Sequence, residues 1–383
     1  MQAEFIDSID TVAPAAWQAL WSTDYPFTRH GFLAALEHSG STSAATGWQP
    51  CHLLLKQGQE LVAALVLFKK LHSYGEYVFD WAWADAYQRS GLSYYPKLVT
   101  AIPFTPATGP RLGIAAGVDR AEVQRHMFAA LKEKAQQWRV SSWHCLFPEP
   151  ELSVQLQAQQ FSRRRGCQFH WFNRGYENFE DFLSSFTSRK RKSLNRERRR
   201  VREQQIELEV RSGGEISDAE WRQFYEFYHL TYFKRSGRQG YLGPDFFPAL
   251  AKTMPEQIVM VMARHHGDLV AAALNFRDRH TLYGRYWGCR AEFDTLHFEA
   301  CYYQGIDYAI AEGLQKFDPG AQGEHKIQRG FTPVATWSNH WIADRRFRMA
   351  IDDFLQRENV SVEQYMASAR GYLPFKQADA GSS

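Results

Sequence analysis

The sequence predicts an α/β protein built from two similar domains, each a sandwich of mixed sheet and helices. Three observations carry that expectation. At 383 residues the chain is longer than one typical core. Apolar and aromatic strand-like runs are interleaved with amphipathic helical stretches, the pattern of α/β folds. Finally, residues 61–77 and 269–286 are two copies of one pattern. Leu61-Val62-Ala63-Ala64 matches Leu269-Val270-Ala271-Ala272, Phe68 matches Phe276, and His72 matches His280. After one extra residue in the second copy, Tyr74-Gly75-x-Tyr77 matches Tyr283-Gly284-x-Tyr286, giving nine identities at an offset of 208 rising to 209. Each copy reads as an apolar strand and an aromatic strand separated by charged turns. A repeat spacing near two hundred residues means paired domains, not a solenoid, whose period is roughly 20–50 residues.

In chain order, residues 27–38 place Phe27, Phe32, Leu33 and Leu36 on one helical face, and Ser39-Gly40 stops it. The first hairpin covers roughly 51–83. Residues 80–113, rich in Trp, Tyr, Pro and Gly, read as a long irregular loop, and loops of that length are usually functional. A helix follows at 119–138 through Val123, Met127, Leu131 and Trp138, then a strand at 141–147, a short helix at 150–161 and a strand at 167–172. The expected boundary divides 1–173 from 174–383. The second domain is expected to hold a basic helix (187–205), a strand (206–211), a helix (218–235) and a glycine-rich loop (235–243). Strands at 258–264, 269–277 and 281–289 come next. A helix (298–313), a short strand (315–318), a last strand (336–342) and C-terminal helices complete it. No GxGxxG follows a first strand, so a Rossmann nucleotide fold is not supported.

Five cysteines at wide, irregular spacing form no CxxC pair and read as reduced thiols of a cytoplasmic protein. The first residues, MQAEFIDSID, have no basic or apolar leader character. No apolar run approaches the roughly 20 residues of a transmembrane segment. Net charge is +3 but unevenly placed: residues 188–203 carry nine Lys or Arg and two Glu, a local +7, leaving −4 for the rest.

The densest candidate site is 317–331, FDPGAQGEHKIQRGF. Three glycines bring backbone close together while Asp318, Glu324, His325, Lys326 and Arg329 converge at a strand's C-terminal end, where α/β folds put ligands. Lys326 would set a fixed cation beside a developing oxyanion. Glu324 or His325 would accept a proton from an attacking amine. Asp318 and Arg329 would contact substrate. The same segment also reads as a bent surface loop with solvated charges. Of the basic helix, Arg191, Asn195 and Arg198 are candidate phosphate contacts by charge and helical spacing, against the alternative of a solvated face. In the 80–113 stretch, Tyr95, Lys97 and Arg111 suit a binding wall or, equally, packing. The histidines show no metal-ligand spacing, and no metal is expected.

Three segments together resemble the FemAB-like N-acyltransferases: YYPKL through PFTPATGPRL (94–112), SRKRKSLNRER (188–198) and FDPGAQGEHKIQRGFTPVATWSNHW (317–341). The resemblance covers nearly the whole chain and implies two tandem GNAT-like (acyl-CoA N-acyltransferase) domains. It implies transfer of an acyl or aminoacyl group from acyl-CoA or aminoacyl-tRNA to a small-molecule or peptide amine, as in peptidoglycan biosynthesis. The architecture is similar to that of the Fem transferases, in which a Lys-x-x-x-Phe-type lysine helps hold the reacting carbonyl. Lys326, followed by Phe331, is the counterpart here, one residue longer in spacing. Where GNAT enzymes carry a glycine-rich pyrophosphate loop, this chain reads Glu292 to Glu299 with no glycine. Asp294 and Glu299 would then shape the donor entrance and disfavour a pyrophosphate. The acceptor is expected to approach between the domains, and no DNA partner is expected. A non-catalytic module binding a phosphate-bearing wall precursor or RNA is the alternative; the missing pyrophosphate glycines favour it, and the crowded 318–331 segment argues against it.

Overall fold

The structure is a computed structural model that describes residues 1–237, 239–321 and 323–376. Arg238 of the glycine-rich loop, Gln322 of the 317–331 segment and the polar tail from 377 lie outside the described residues. The chain forms two compact α/β units with mixed sheets flanked by helices, the expected class.

The first unit comprises 1–166, 241–253 and 335–363. Strands Gln2–Ile6, His52–Gln57, Glu60–Leu65 and Leu112–Ile114 pair antiparallel in the order first, second, third, fourth. A further ladder runs Trp48–Pro50, Phe68–Lys70, Lys97–Thr100, Ser142–Leu146 and then 338–342, with the Lys97–Thr100 and Ser142–Leu146 pair parallel. Helix Arg120–Gln137, capped by Asp119 accepting the N–H groups of Ala121 and Glu122, sends Val123, Met127 and Leu131 into a core with Leu53, Leu98 and Trp143.

The second unit comprises 167–240, 254–334 and 364–383. Strands Ile206–Ser212, Ile258–His265, Asp268–Arg277 and Thr281–Cys289 form an antiparallel meander. Thr281–Cys289 then pairs parallel with Lys316–Asp318, which pairs antiparallel with Trp171 and Phe172. Parallel neighbours need a crossover. Here it is the helical run 296–311, interrupted by a π-helical turn at Glu299–Tyr303. Its inner face buries Tyr303 and Ile306 with Leu282, Phe317, Phe182 and Phe331.

The duplication extends to the register. In the first copy Leu55 faces Ala63 and Lys56 faces Leu61, leaving Val62 as an extra residue. In the second, Ala263 faces Ala271 and Arg264 faces Leu269, leaving Val270. Matching residues are thus bulged in both hairpins, a position-specific feature and not an irregularity.

Four expectations need correction. The aromatic strand exists only in the second copy. In the first, Leu112–Ile114 pairs with the apolar strand, and Tyr74–Tyr77 turns, with Gly75 at φ +80° and Tyr77 at φ +60°. The 80–113 stretch is not one loop, because it contains helix Trp81–Arg89 and strands Lys97–Thr100 and Leu112–Ile114. The crossover helix begins at Leu296, two residues early, because Leu296 is buried. The compact units are not divided at 173/174. Residues 338–342 pair with Ser142–Leu146, and Phe246 packs edge-on against Phe32, so both later segments join the first unit.

Candidate active site

Strand Lys316–Asp318 ends where the chain bends sharply into the 3-10 helix Glu324–Arg329. Asp318 starts the bend, its Oδ1 accepting the Gly320 N–H at 2.9 Å. Gly323 and Gly330 bound the helix at φ +105° and +85°. In a 3-10 helix residues three apart share a face; Lys326 and Arg329 do so, and that face is buried.

Lys326 is 2% exposed. Its Nζ donates to the Gly320 carbonyl at 2.7 Å and approaches that of Pro319 at 3.4 Å. Burial lowers its pKa to about 8, with Asp318 opposing the shift and Arg285 adding to it. The ammonium is therefore mostly charged at neutral pH. Asp318 faces Arg285, with Nη2 to Oδ2 at 2.9 Å, Nη1 to Oδ1 at 3.3 Å, and each side chain 1% exposed. Burial pushes the Asp318 carboxyl up, but the Arg285 guanidinium holds it well below the usual carboxylate range. His170 Nε2 lies 3.6 Å from Asp318 Oδ1, and burial lowers its pKa to about 4, leaving a neutral ring. Two cations against one carboxylate give this buried cluster one net positive charge, suited to oxygen that gains negative charge.

Glu324 and His325 occupy the opposite, exposed face of the same turn. Glu324 Oε1 accepts the Tyr365 hydroxyl at 2.7 Å, and His325 Nε2 shares a hydrogen bond with the Tyr302 hydroxyl at 2.9 Å. Arg329 serves the scaffold: it donates to Tyr303 Oη, the His325 carbonyl and Glu197 Oε2 at 2.8–2.9 Å and lies 3.5 Å over the Phe298 ring. A free guanidinium awaiting substrate is not what the fold provides there.

Ion pairs tie part of the basic helix, Ser188–Glu203, to the crossover run and the residues just before it. Arg198 donates to Glu299 Oε1 at 3.0 Å and Asp307 Oδ2 at 2.7 Å, and Arg200 pairs with Asp294 at 2.8 Å. Glu299 is buried and so does not line an entrance; Asp294 is exposed. Arg198 is likewise committed to these carboxylates. Asn195 is exposed and Arg191 half-buried. Arg189, Lys192, Arg196 and Arg199 extend along the exposed side of the helix.

Tyr95, Lys97 and Arg111 belong to the first unit, and Lys326 to the second. Arg111 is fully buried and donates to the carbonyls of Leu146, Pro110 and Ala107, which makes it a backbone clamp and not a wall. Lys97 is also fully buried, between Glu76 and Asp80, and Tyr95 shares a hydrogen bond with Ser73 at 2.8 Å. Sequence reasoning missed Arg285 and His170. Arg285 is the unmatched third residue of Tyr283-Gly284-x-Tyr286, so the duplicated motif itself could have flagged it. Among the described residues no group of three or more His, Cys, Asp or Glu could hold a metal ion, and no helix is long and apolar enough to cross a membrane.

Comparison with solved structures finds the same fold in a crystal structure of FemX, 12% identical with a TM-score of 0.54, spanning 92% of this chain and 100% of that one. The L-PGS structure from Bacillus licheniformis is 12% identical at a TM-score of 0.50, spanning 86% of this chain and 96% of that one. A DUF2156 domain from Agrobacterium fabrum is 9% identical at 0.52, spanning 85% and 90%. At such identities the likeness is one of fold alone. No curated protein matches the chain by sequence. The model of the FemAB_like family, described as peptidoglycan biosynthesis/recognition, matches residues 8–377, and the chain belongs to that family.

Proposed function

We propose that the protein transfers an acyl or aminoacyl group onto an amine, with Lys326 as the group that supports the reacting carbonyl. The observation that carries this reading is the buried Lys326 ammonium, held by backbone carbonyls beside the Arg285–Asp318 pair at the end of a sheet strand. Family membership supports the reaction class. The acceptor nitrogen attacks the acyl carbon, forming a C–N bond. The ester or thioester bond breaks, and the proton lost by the amine is carried through water to the departing oxygen or sulfur, which leaves as the neutral alcohol or thiol; His325 and Glu324, on the opposite face of the turn from Lys326, are not placed to take it directly. Lys326 stabilises the negative oxygen between attack and departure, a role whose removal costs about 10²–10³ in rate.

Between the two donors, an aminoacyl ester of tRNA fits better than acyl-CoA. The crossover helix starts without a glycine loop and with the exposed Asp294 just before it, where a pyrophosphate would need N–H groups alone. The exposed Arg189, Lys192, Arg196 and Arg199 offer charge to a phosphate backbone. That stripe also favours the second reading, a phosphate-binding module without turnover. The test is product formation, followed by mass spectrometry, from aminoacyl-tRNA or acyl-CoA with lysine-containing peptides. Lys326→Ala should lose turnover by about 10²–10³ while keeping its melting curve. Undiminished turnover would remove the lysine from the mechanism, and donor binding without turnover by the wild type would favour the module.

A further inference from the structure

Helix Ser188–Glu203 has two unlike faces. Lys190, Leu194, Glu197 and Val201 recur at the three- and four-residue spacing of one helical face. Leu194 and Val201 are buried there, and Lys190 and Glu197 are half-buried. The turn Glu324–Arg329 meets that face through three consecutive residues. Ile327 shares a core cluster with Leu194, Gln328 accepts a hydrogen bond from Lys190, and Arg329 donates to Glu197 at 2.8 Å. The helix carries one other acid, Glu203, which is exposed and pairs with Arg199 on the solvent side. Glu197 is thus the helix's one carboxylate directed at the turn.

Glu197 holds Arg329 twice, directly and through Tyr303. Its Oε2 accepts Arg329 Nη2 and also the Tyr303 hydroxyl, and that hydroxyl accepts Arg329 Nε at 2.9 Å. The remaining guanidinium nitrogen, Nη1, donates to the His325 carbonyl at 2.9 Å. That carbonyl belongs to the peptide unit joining His325 to Lys326, and the Lys326 N–H at its other end donates to the Gly323 carbonyl at 3.1 Å. Both polar ends of the plane that leads into Lys326 are tied, one of them through Arg329. With that plane fixed, the Lys326 stem leaves its Cα in one direction, and Nζ reaches the Gly320 carbonyl. Arg329 is only 6% exposed. A guanidinium so enclosed needs its anion, because carbonyl and hydroxyl partners do not neutralise it. The π-helical turn Glu299–Tyr303 completes the grip. Tyr303 bonds Arg329, while its neighbour Tyr302 bonds His325 and faces Lys326 Nζ, 6.0 Å from its ring. Such turns recur at functional sites.

We propose that Glu197 is a positioning residue for the transfer: through Arg329 it fixes the peptide unit before Lys326 and so aims the ammonium at the reacting carbonyl. This rests on the role proposed for Lys326. The exposed face of the same helix carries Arg189, Lys192, Arg196 and Arg199, so aim and donor affinity separate by face. The test compares the wild type with Glu197→Gln, which keeps the side chain's size and removes its charge. With aminoacyl-tRNA and a lysine-containing peptide, kcat should fall about ten- to a hundredfold, while the donor KM stays within about twofold. Glu203→Gln removes the same charge from the same helix and should leave kcat unchanged. A second readout needs no substrate: carbon-13 NMR titration of ε-labelled lysines, with the Lys326 signal assigned from Lys326→Arg. The Lys326 midpoint, about 8 in the wild type, should rise in Glu197→Gln as the loosened ammonium gains water. If Glu197→Gln does not fold, Tyr303→Phe, which spares the ion pair, should show both changes to a smaller degree. A role in stability alone would lower the melting temperature and leave kcat and the midpoint in place, and an unmoved midpoint overturns the positioning role whatever the turnover. Loss of turnover in Lys326→Ala beside wild-type kcat in Glu197→Gln overturns it alone. Undiminished turnover in Lys326→Ala overturns it together with the transfer role of the lysine.

Discussion

At the scale of single residues, the arrangement around Asp318 is a balance of unequal terms. One carboxylate offsets Arg285 and Lys326, all three almost wholly buried. Removing it leaves two like charges facing each other in low dielectric. Breaking a buried pair on one side costs about 3–5 kcal/mol, so Asp318→Asn should lower the urea midpoint by that equivalent. A loss below about 1 kcal/mol would mean that water already screens the pair. Lys326 makes a separate statement. Its ordinary value of 10.5 falls to about 8 in the fold. Between those values the unfolded chain binds more protons than the folded one, so this residue's contribution to stability rises with pH from 8 to 10.5 and is smallest below 8. If Lys326 holds the proposed role, activity should run the other way, because the cation is lost above pH 8. The rate should show an alkaline limb near that pH, and Lys326→Arg, if active, should move it upward because guanidinium does not titrate there.

At the scale of elements, the 3-10 turn Glu324–Arg329 decides which side chains go inward. The residue that caps its C-terminus, Gly330, sits at φ +85°, and a Cβ there would lie 2.9 Å from the ring tips of both Phe182 and Phe186. Left-handed backbone at a non-glycine residue costs about 1–3 kcal/mol, and overpacking adds to it. Gly330→Ala should therefore destabilise by more than about 2 kcal/mol and loosen Lys326, seen as a melting shift together with faster amide exchange over 323–331. A neutral substitution would show that the rings yield freely. The three glycines and the crowded charges made this segment legible in the sequence. The direction of each side chain was not, because a 3-10 turn has a three-residue period that neither helix nor strand patterning reveals. Helix Trp81–Arg89 was hidden for a different reason. Only Trp83 and Tyr87 are buried on it, and two aromatics four apart in nine residues give too short an apolar repeat to stand out from the Pro- and Gly-rich stretch that follows. The π-helical turn at Glu299–Tyr303 leaves no local signature either; it shifts the phase of a continuous helical pattern by one residue.

At the scale of the whole chain, the duplication was legible because it rests on identities at fixed spacing, and the shared bulge at Val62 and Val270 bears it out. The interleaving was not legible, since no local pattern records that residues beyond 330 pair with a strand near 144. That has a consequence for any fragment cut at the apparent boundary. Residues 1–173 lack the segment 338–342, which lies antiparallel along Ser142–Leu146 with Asn339 and His340 buried. They also lack the ring of Phe246 against Phe32, and Glu358, whose carboxylate takes two hydrogen bonds of 2.7 Å from Arg164. The cut uncovers a strand edge and an apolar face together, conditions that favour aggregation over folding. Fragment 1–173 should therefore show no cooperative thermal transition and weak near-ultraviolet circular dichroism, whereas the intact chain shows both. A sharp, reversible melt of the fragment with native-like aromatic signals would mean that 1–173 folds without the returning segments and that the contiguous division describes the folding units after all.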